Sequence, residues 1–354
     1  MQTLLEELYK IDISLEKFHF RKVVFDDKSY QVNGITQSGK TQIIKNYLLS
    51  LKKGSYLYID CLDIRIDIEK LNNILFSFCN KNKITTLVLD NYNPQINIIT
   101  IKQLIISSEV HFDIANLTTL RLYPLDYEEF LAFEYKYDST ALNHYFQLGG
   151  FAFMHKINSD ERNLYIQKML RYALDEFELD ILIFCAKMMA QKVSPYAIYE
   201  RLKQNRKISK DKLYNSYKNL CDKMYIHQLS KYKHPKATKK IYLCDISLKS
   251  ALSIEKHFGR LFENMVYLEL LKSGSECFYD DDIDFYIPSK DEIILCKPFA
   301  DERRLFKKIE SIEAFIFTYQ VKYVTAITIN KEGNISHPFS KIEMIPFDIW
   351  VLGD

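Results

Sequence analysis

Glycine and proline are scarce in this chain, nine and eight among 354 residues, and no stretch concentrates them, so a disordered linker between its parts is not expected. Cysteines are few and dispersed. The seven (Cys61, Cys79, Cys185, Cys221, Cys244, Cys277 and Cys296) form no close pairs, which argues against a disulfide framework and against zinc-ligand spacing. They read as reduced thiols of a cytoplasmic protein. Long apolar runs are missing too. The longest mostly apolar stretch, Leu179 to Ala190, is broken by Lys187 and is too short to cross a bilayer, so no membrane partner is expected. Met1 to Lys17 carries Glu6, Glu7 and Asp12 where a secretory signal needs an apolar centre. There is no internal repeat. What remains, 47% apolar and 27% charged residues, is the composition of a soluble globular protein, in a length that accommodates two or three domains.

Within that composition one stretch stands out. Gly34-Ile35-Thr36-Gln37-Ser38-Gly39-Lys40-Thr41 matches the phosphate-cradling pattern G-x-x-x-x-G-K-[ST] in full. Ser29 to Val32 predicts a strand before it, and the apolar spacing of Lys40 to Leu49 predicts a helix after it, with Gly54 as its C-cap. A strand, a glycine-bracketed loop and a helix N-terminus aim backbone N–H groups and the positive end of the helix dipole at one anion. The alternative is a plain surface turn. Further strands are predicted at Ser55 to Asp60, Ile84 to Asp90, Gln103 to Ser108 and Thr118 to Tyr123, with a helix at Ile68 to Cys79. Asp90 ends an apolar strand, where it would hold Mg²⁺ together with Thr41, unless the strand simply ends in an Asp-Asn turn. Ser107 or Ser108 would lie near the γ-phosphate, or cap the following turn. The strand and helix alternation implies a doubly wound parallel sheet with helices on both faces. Asp126 with Glu129 three residues on predicts a capped helix start.

Charge is unevenly placed. Lys187 to Lys240 holds 15 of the 48 Lys and Arg residues but only three of the 46 acids, a local net of +12 that leaves −10 for the remainder. Helices are predicted from Leu179 to Ala190, from Tyr196 to Lys203 behind Ser194-Pro195, and from Lys210 to Tyr225 behind Ser209. The runs Ile226 to Leu229 and Ile241 to Cys244 predict a hairpin, and together these make a winged helix-turn-helix. Lys210, Lys212 and Lys218 of the third helix and Lys231, Lys233, Lys236, Lys239 and Lys240 of the hairpin are candidates for contact with the phosphates of double-stranded DNA. The other reading is a solvated basic face packed against the acidic remainder of the chain. Beyond residue 251 the pattern is mixed α/β. Helices are expected at Leu261 to Lys272 and Glu302 to Thr318, and strands near Cys277 to Tyr279, Phe285 to Ile287, Glu292 to Cys296 and Tyr323 to Ile329.

The order of features carries a resemblance. After the phosphate loop and the Asp90 strand come Ser107-Ser108, Leu122-Tyr123-Pro124-Leu125-Asp126-Tyr127-Glu128-Glu129-Phe130, Gly149-Gly150-Phe151, the winged helix, Gly259-Arg260-Leu261-Phe262-Glu263-Asn264 and Asp282-Ile283-Asp284-Phe285. From about residue 29 to 352 this series resembles the prokaryotic AAA-type (archaeal-type) ATPases that carry a winged helix and a restriction-endonuclease-like C-terminal domain. The resemblance implies an α/β chain: a P-loop NTPase sheet at 29–156 behind an N-terminal helix and extension at 1–28, a helical and winged-helix domain at 157–250, and a nuclease-like domain at 251–354. It also implies ATP and Mg²⁺ as ligands. Gly34, Thr36, Gln37, Ser38, Gly39, Lys40, Thr41 and Ser108 would bind the nucleotide, Thr41 and Asp90 the metal, and Asp90 and Asn91 would carry the chemistry.

Three departures from that family bear on activity. Asn91 stands where relatives place the glutamate that polarises the attacking water, and an amide orients water without taking its proton. Ala115-Asn116 aligns with the Gly-Arg that would supply an arginine to a neighbouring subunit of a homo-oligomer; Arg121 lies nearby. In the nuclease-like domain Glu263, Asp284 and Lys297 match, but Leu295 replaces a metal-binding carboxylate. The expected function is therefore an ATP-binding nucleotide switch with slow or impaired hydrolysis, coupled to a basic winged helix. The alternatives are a DNA-binding regulator with a vestigial nucleotide site and, less favoured, a metal-dependent nuclease.

Overall fold

The computed structural model describes residues 1–14, 20–135, 140–204 and 206–353, and it divides into two compact units, Met1–Pro124 and Leu125–Asp354. The first is built on β1 (Tyr30–Asn33), β2 (Tyr56–Asp60), β3 (Thr86–Asp90), β4 (Gln103–Ser108) and β5 (Thr118–Arg121), all parallel, in the order β2-β3-β4-β1-β5. Its helices are α1 (Gln2–Lys10), α2 (Lys40–Ser50) and α3 (Ile68–Lys81). Successive side chains of a strand face opposite ways. Leu57, Ile59, Leu87, Leu89, Leu104 and Ile106 therefore share one face with Leu71, Leu75 and Phe78 of α3 and Leu5 of α1. Val32, Val88 and Ile105 turn the other way and meet Ile43, Ile44 and Leu48 of α2. The expected parallel sheet with helices on both faces is present. Gly54 is not the cap of α2, however: that helix ends against an extended Leu51, and Gly54 (φ +81°) lies beyond it.

A polar anchor seats the sheet. Gln103 is buried, donates to the carbonyls of Asp26 and Lys28 and accepts from Tyr47 and Thr86, so the segment leading into β1 is fixed before the phosphate loop begins.

The second unit opens with α4 (Tyr127–Glu134), whose first turn has the expected capping box: Glu129 N–H donates to Asp126 at 2.8 Å and Asp126 N–H to Glu129 at 3.3 Å. Residues 125–156, read from sequence as part of the nucleotide module, group here with the second unit. α5 (Ala141–Leu148) ends at Gly149-Gly150, where the Gly150 N–H donates to the buried Asp245 at 2.7 Å. A Cβ on Gly149 would fall 2.1 Å from Asp245 Oδ1, so only glycine fits. There follow α6 (Arg162–Ala173), α7 (Glu176–Lys187), α8 (Pro195–Leu202), α9 (Lys210–Asp222), the antiparallel pair β6 (Ile226–Leu229) and β7 (Lys240–Leu243), and α10 (Ser247–Leu252). α7 begins three residues earlier than its apolar run, because Asp175 and Glu178 form a second capping box.

The last part is a six-stranded mixed sheet. Its strands are β8 (Phe278–Asp280), β9 (Ile283–Ile287), β10 (Glu292–Cys296), β11 (Tyr323–Thr328), β12 (Gly333–Ile335) and β13 (Lys341–Pro346), in the order β12-β13-β11-β10-β9-β8. α11 (Phe258–Lys272) precedes it, α12 (Glu302–Tyr319) crosses from β10 to β11, and α13 (Phe347–Leu352) ends the described chain. Leu305, Ile309, Ile312 and Ile316 recur on one face of α12 and bury it against Ile293, Leu295, Val324 and Ala326. β12, β13 and α13 have no counterpart in the sequence reading.

Candidate nucleotide site

At the C-terminal end of β1 the chain turns directly into the loop Gly34 to Thr41. Gly34 N–H donates to Ser108 O at 3.2 Å, and a Cβ on Gly34 would lie 2.5 Å from Leu122 O, so the loop can pass between β4 and β5 only without a side chain there. Gly39 (φ +97°) is the N-cap of α2 and supplies no side-chain cap, which leaves the first N–H groups of that helix for an external acceptor. Gln37 (φ +62°) is exposed and Thr36 half-buried. Ser38 is buried, and its Oγ has no hydrogen-bond partner among the described residues. Lys40 folds back onto the loop, donating to Gly34 O at 2.7 Å and Ile35 O at 3.0 Å. Burial pulls its pKa down, against the opposing charges of Glu109 and Asp90.

Asp90 is fully buried at the end of β3 and gathers hydroxyls. Thr41 Oγ1 donates to its Oδ2 at 2.6 Å, Tyr58 to the same oxygen at 2.7 Å, and Ser107 to Oδ1. Burial first and Asp90's charge second push the Tyr58 phenol upward, so it remains a neutral donor. Two hydroxyl-bearing candidates thus part company. Ser107 faces Asp90, whereas Ser108 bonds the carbonyl and the N–H of Val110, the geometry of a cap on the next turn. Asn91 follows in a left-handed conformation (φ +53°) and donates from Nδ2 to Asp60 at 2.9 Å. Asn116 (φ +65°) occupies a turn, and Arg121 is exposed at the end of β5 beside Asn33.

Sequence reasoning missed Arg21. From the extension before β1 its guanidinium donates to Ser38 O at 3.0 Å and to Tyr123 O at 2.7 Å, tying the loop to the segment after β5. The C=O and N–H of a trans peptide point in opposite directions. Holding Ser38 C=O therefore fixes Gly39 N–H on the side of the peptide away from the guanidinium. No pattern marks an arginine in an extended segment, so nothing in the sequence signals this.

The residues fit Mg²⁺ bound to a phosphate chain. Thr41 and Asp90 already touch, one hydroxyl and one carboxylate, and Mg²⁺ on phosphates takes only one or two protein ligands with water completing its shell. No cluster of three or more His, Cys, Asp or Glu residues suited to a metal occurs among the described residues. All seven cysteines are free thiols.

The basic segment of the second unit divides in two. On α9, Lys210, Lys212 and Lys218 are exposed, with Lys210 over the Tyr196 ring at 5.1 Å and Lys212 over Phe177 at 5.1 Å. The hairpin differs. Lys231 and Lys192 both bind Asp281, and Lys240 lies 2.9 Å from Glu263 and 3.9 Å from Asp284. Lys231 and Lys240 are thus paired with carboxylates within the unit. Lys233 lies over the Tyr319 ring at 4.6 Å, Lys236 is exposed, and Lys239 is half-buried. Glu263 of α11 and Asp284 of β9 meet the same ammonium, that of Lys240, and Lys297 lies 3.2 Å from Asp284. Leu295 is buried under α12, and the ammonium of Lys240 stands between the two carboxylates. Asn264 completes the join, accepting from Leu243 N–H at 2.8 Å and donating to Leu243 O at 3.1 Å.

No family model matches the chain. It is 22% identical over 397 aligned positions to an uncharacterized protein of Methanocaldococcus jannaschii, covering 91% of this chain and 87% of that one. Among solved structures it is similar to the Walker-type ATPase of Pyrococcus abyssi, at 14% identity and a TM-score of 0.43 over 63% of this chain and 90% of the other. It is also similar to the Orc1 protein of Aeropyrum pernix in complex with DNA, at 13% identity and a TM-score of 0.34 over 64% and 86%. Among the described residues no helix is long and apolar enough to cross a membrane.

Proposed function

We propose that the first unit binds ATP with Mg²⁺ and hydrolyses it slowly, as a nucleotide switch. The observation that carries this reading is the junction of Thr41 with Asp90 at 2.6 Å beside a loop whose helix N-terminus has no cap of its own. Lys40 would leave Gly34 O and Ile35 O for the β- and γ-phosphates, the backbone from Thr36 to Thr41 would cradle them, and Thr41 and Asp90 would hold Mg²⁺. When bound, the metal supplies neutralisation of the charge that develops on the phosphates. Asn91 in place of a carboxylate limits the rate, because no side chain at that position takes the proton of the attacking water. The test is calorimetric Mg-ATP affinity of the chain against Lys40→Ala. Binding in the wild type that disappears in the variant supports the reading; no binding in either refutes it.

We further propose that α7 to α9 with β6 and β7 form a winged helix whose α8 and α9 face meets the backbone of double-stranded DNA, and that the nucleotide state controls this contact. The exposed Lys210, Lys212 and Lys218 favour it. ATP turnover with and without duplex DNA separates a switch from a DNA-binding regulator with a vestigial nucleotide site, in which retention on DNA ignores ATP. A metal-dependent nuclease is disfavoured by Leu295 and by Lys240, which brings its own cation to the two remaining carboxylates.

A further inference from the structure

One pair of residues beside Asp90 has no part in the binding scheme. β2 and β3 run in register with Asp60 opposite Asp90, so residue 91 emerges next to the Asp60 carboxylate. Asn91 Nδ2 donates to Asp60 Oδ1 at 2.9 Å, and the same oxygen accepts from Leu62 N–H at 3.1 Å. The Asn91 backbone is pinned as well, its N–H donating to Ser107 Oγ at 2.9 Å. Asparagine suits this turn because it tolerates the left-handed region better than most residues. An ionised carboxylate only accepts hydrogen bonds, whereas an amide has one donating end and one accepting end. Asp60 therefore decides which way the Asn91 amide points. Nδ2 faces Asp60 and Oδ1 faces away, with no hydrogen-bond partner for Oδ1 among the described residues.

We propose that Asp60 is a positioning residue for ATP hydrolysis: by fixing the Asn91 amide it presents Oδ1 as the acceptor that orients the attacking water. The proposal rests on the reading of this unit as an ATP site. The water oxygen bonds to the γ-phosphorus as the bond to the β–γ bridging oxygen breaks. ADP leaves, and the water's proton passes to a phosphate oxygen, since an amide does not take it. Without Asp60 the amide turns freely, and half of its orientations offer the water a donor where an acceptor is needed. Glu109 is the competing carboxylate, lying close enough to Lys40 for its charge to work against the lowering of the lysine's pKa by burial.

The test measures steady-state hydrolysis and Mg-ATP affinity of the full chain in parallel. An asparagine at 60 would still accept from Asn91 Nδ2 and Leu62 N–H, so the acceptor is removed with leucine. Asp60→Leu is expected to lower turnover by about 10- to 100-fold, the scale of a misplaced reactant, with affinity unchanged. Asn91→Leu is expected to cost the same, and the double substitution no more, because both remove one element of a single device. Combining Asp60→Asn with Asn91→Glu reverses the pair, the amide now donating to a carboxylate at 91, and is expected to restore turnover above that of Asp60→Leu. Unchanged turnover in Asp60→Leu, additive losses, or an equal loss from Glu109→Gln would overturn the proposal. So would a wild type that binds Mg-ATP without hydrolysing it. A wild type that fails to bind Mg-ATP refutes the parent reading instead, and a parallel loss of affinity in Asp60→Leu makes Asp60 structural.

Discussion

Replacing Lys240 by Met removes an ammonium from between two carboxylates whose side chains are only 13% and 16% exposed. Methionine keeps the length and apolar character of the stem, so the change is chiefly electrostatic. Asp284 keeps Lys297 at 3.2 Å and the Cys296 N–H at 2.8 Å. Glu263 is left with the Tyr242 hydroxyl at 2.8 Å. Breaking a buried pair costs about 3–5 kcal/mol, and the partners that Asp284 retains place this case near the lower end, about 3 kcal/mol. For a unit of this size that lowers Tm by about 6–12 °C. The pH dependence is the stricter part. Burial, then the charge of Asp284, raises the Glu263 pKa, while Lys240 and Tyr242 work against the rise. A carboxyl whose folded pKa exceeds its unfolded value costs nothing when both states are protonated, and the cost grows as pH climbs from the unfolded value of 4.5 to the raised folded one. Removing Lys240 raises the folded value further. The deficit of Lys240→Met is therefore larger at neutral pH and shrinks as the solution is acidified toward that unfolded value, and adding Glu263→Gln recovers part of it at neutral pH. Thermal unfolding of the full chain followed by circular dichroism across this range is the assay. A deficit independent of pH, or none at all, would refute the reasoning.

Arg21→Gln is expected to weaken Mg-ATP binding by about tenfold, the effect of roughly 1.4 kcal/mol from a loosened charge-assisted bond to Ser38 O, read by calorimetry. An unchanged affinity would show that Gly39 N–H is oriented without it. Substituting Lys210, Lys212 and Lys218 together by Gln is expected to reduce the slope of log affinity for duplex DNA against log salt by about 2.7, near 0.9 for each phosphate left unneutralised. Lys231→Gln, which removes a charge already neutralised by Asp281, should leave that slope nearly unchanged; a drop as large as that from an α9 lysine would contradict the assignment.

How much of this was legible depends on the distance over which each feature is encoded. The strands Thr86–Asp90 and Gln103–Ser108 are fully buried, so their near-continuous apolar runs announce them. The capping box of Asp126 and Glu129 is a contact across three residues, and it is present where the spacing predicts it. The phosphate loop is legible because glycine positions and a lysine are fixed by the backbone itself. Arg21, Asp60 and Lys240 are different: their partners lie 17, 31 and 23 residues away, and only the pairing of strands and helices brings them together. Ser107 and Ser108 are adjacent and chemically identical, and the pleat alone sends one to Asp90 and the other to Val110. β13 alternates buried and half-exposed residues, but charged Lys341 and Glu343 hide its period within a short run.

The charge asymmetry shows how a correct count can mislead about a surface. The excess of +12 between Lys187 and Lys240 is a sum along the chain, whereas a polyanion meets only the charges left on the surface. Within the second unit, Lys192 and Lys231 converge on Asp281, and Lys240 enters a pocket with Glu263 and Asp284. These lysines join β7 and its neighbours to the last sheet, and Tyr232 reinforces the join by packing edge-on against Phe278, Tyr286 and Tyr319. Ammonium groups held this way have exchanged water for carboxylates and release few counterions on meeting a polyanion. The α9 lysines have made no such exchange. Its exposed positions carry Lys210, Lys212 and Lys218, while Leu213, Tyr217 and Leu220 turn inward at helical spacing. The basic segment thus divides: Lys192, Lys231 and Lys240 spend their charge on carboxylates of the same unit, and the α9 lysines keep theirs in solvent.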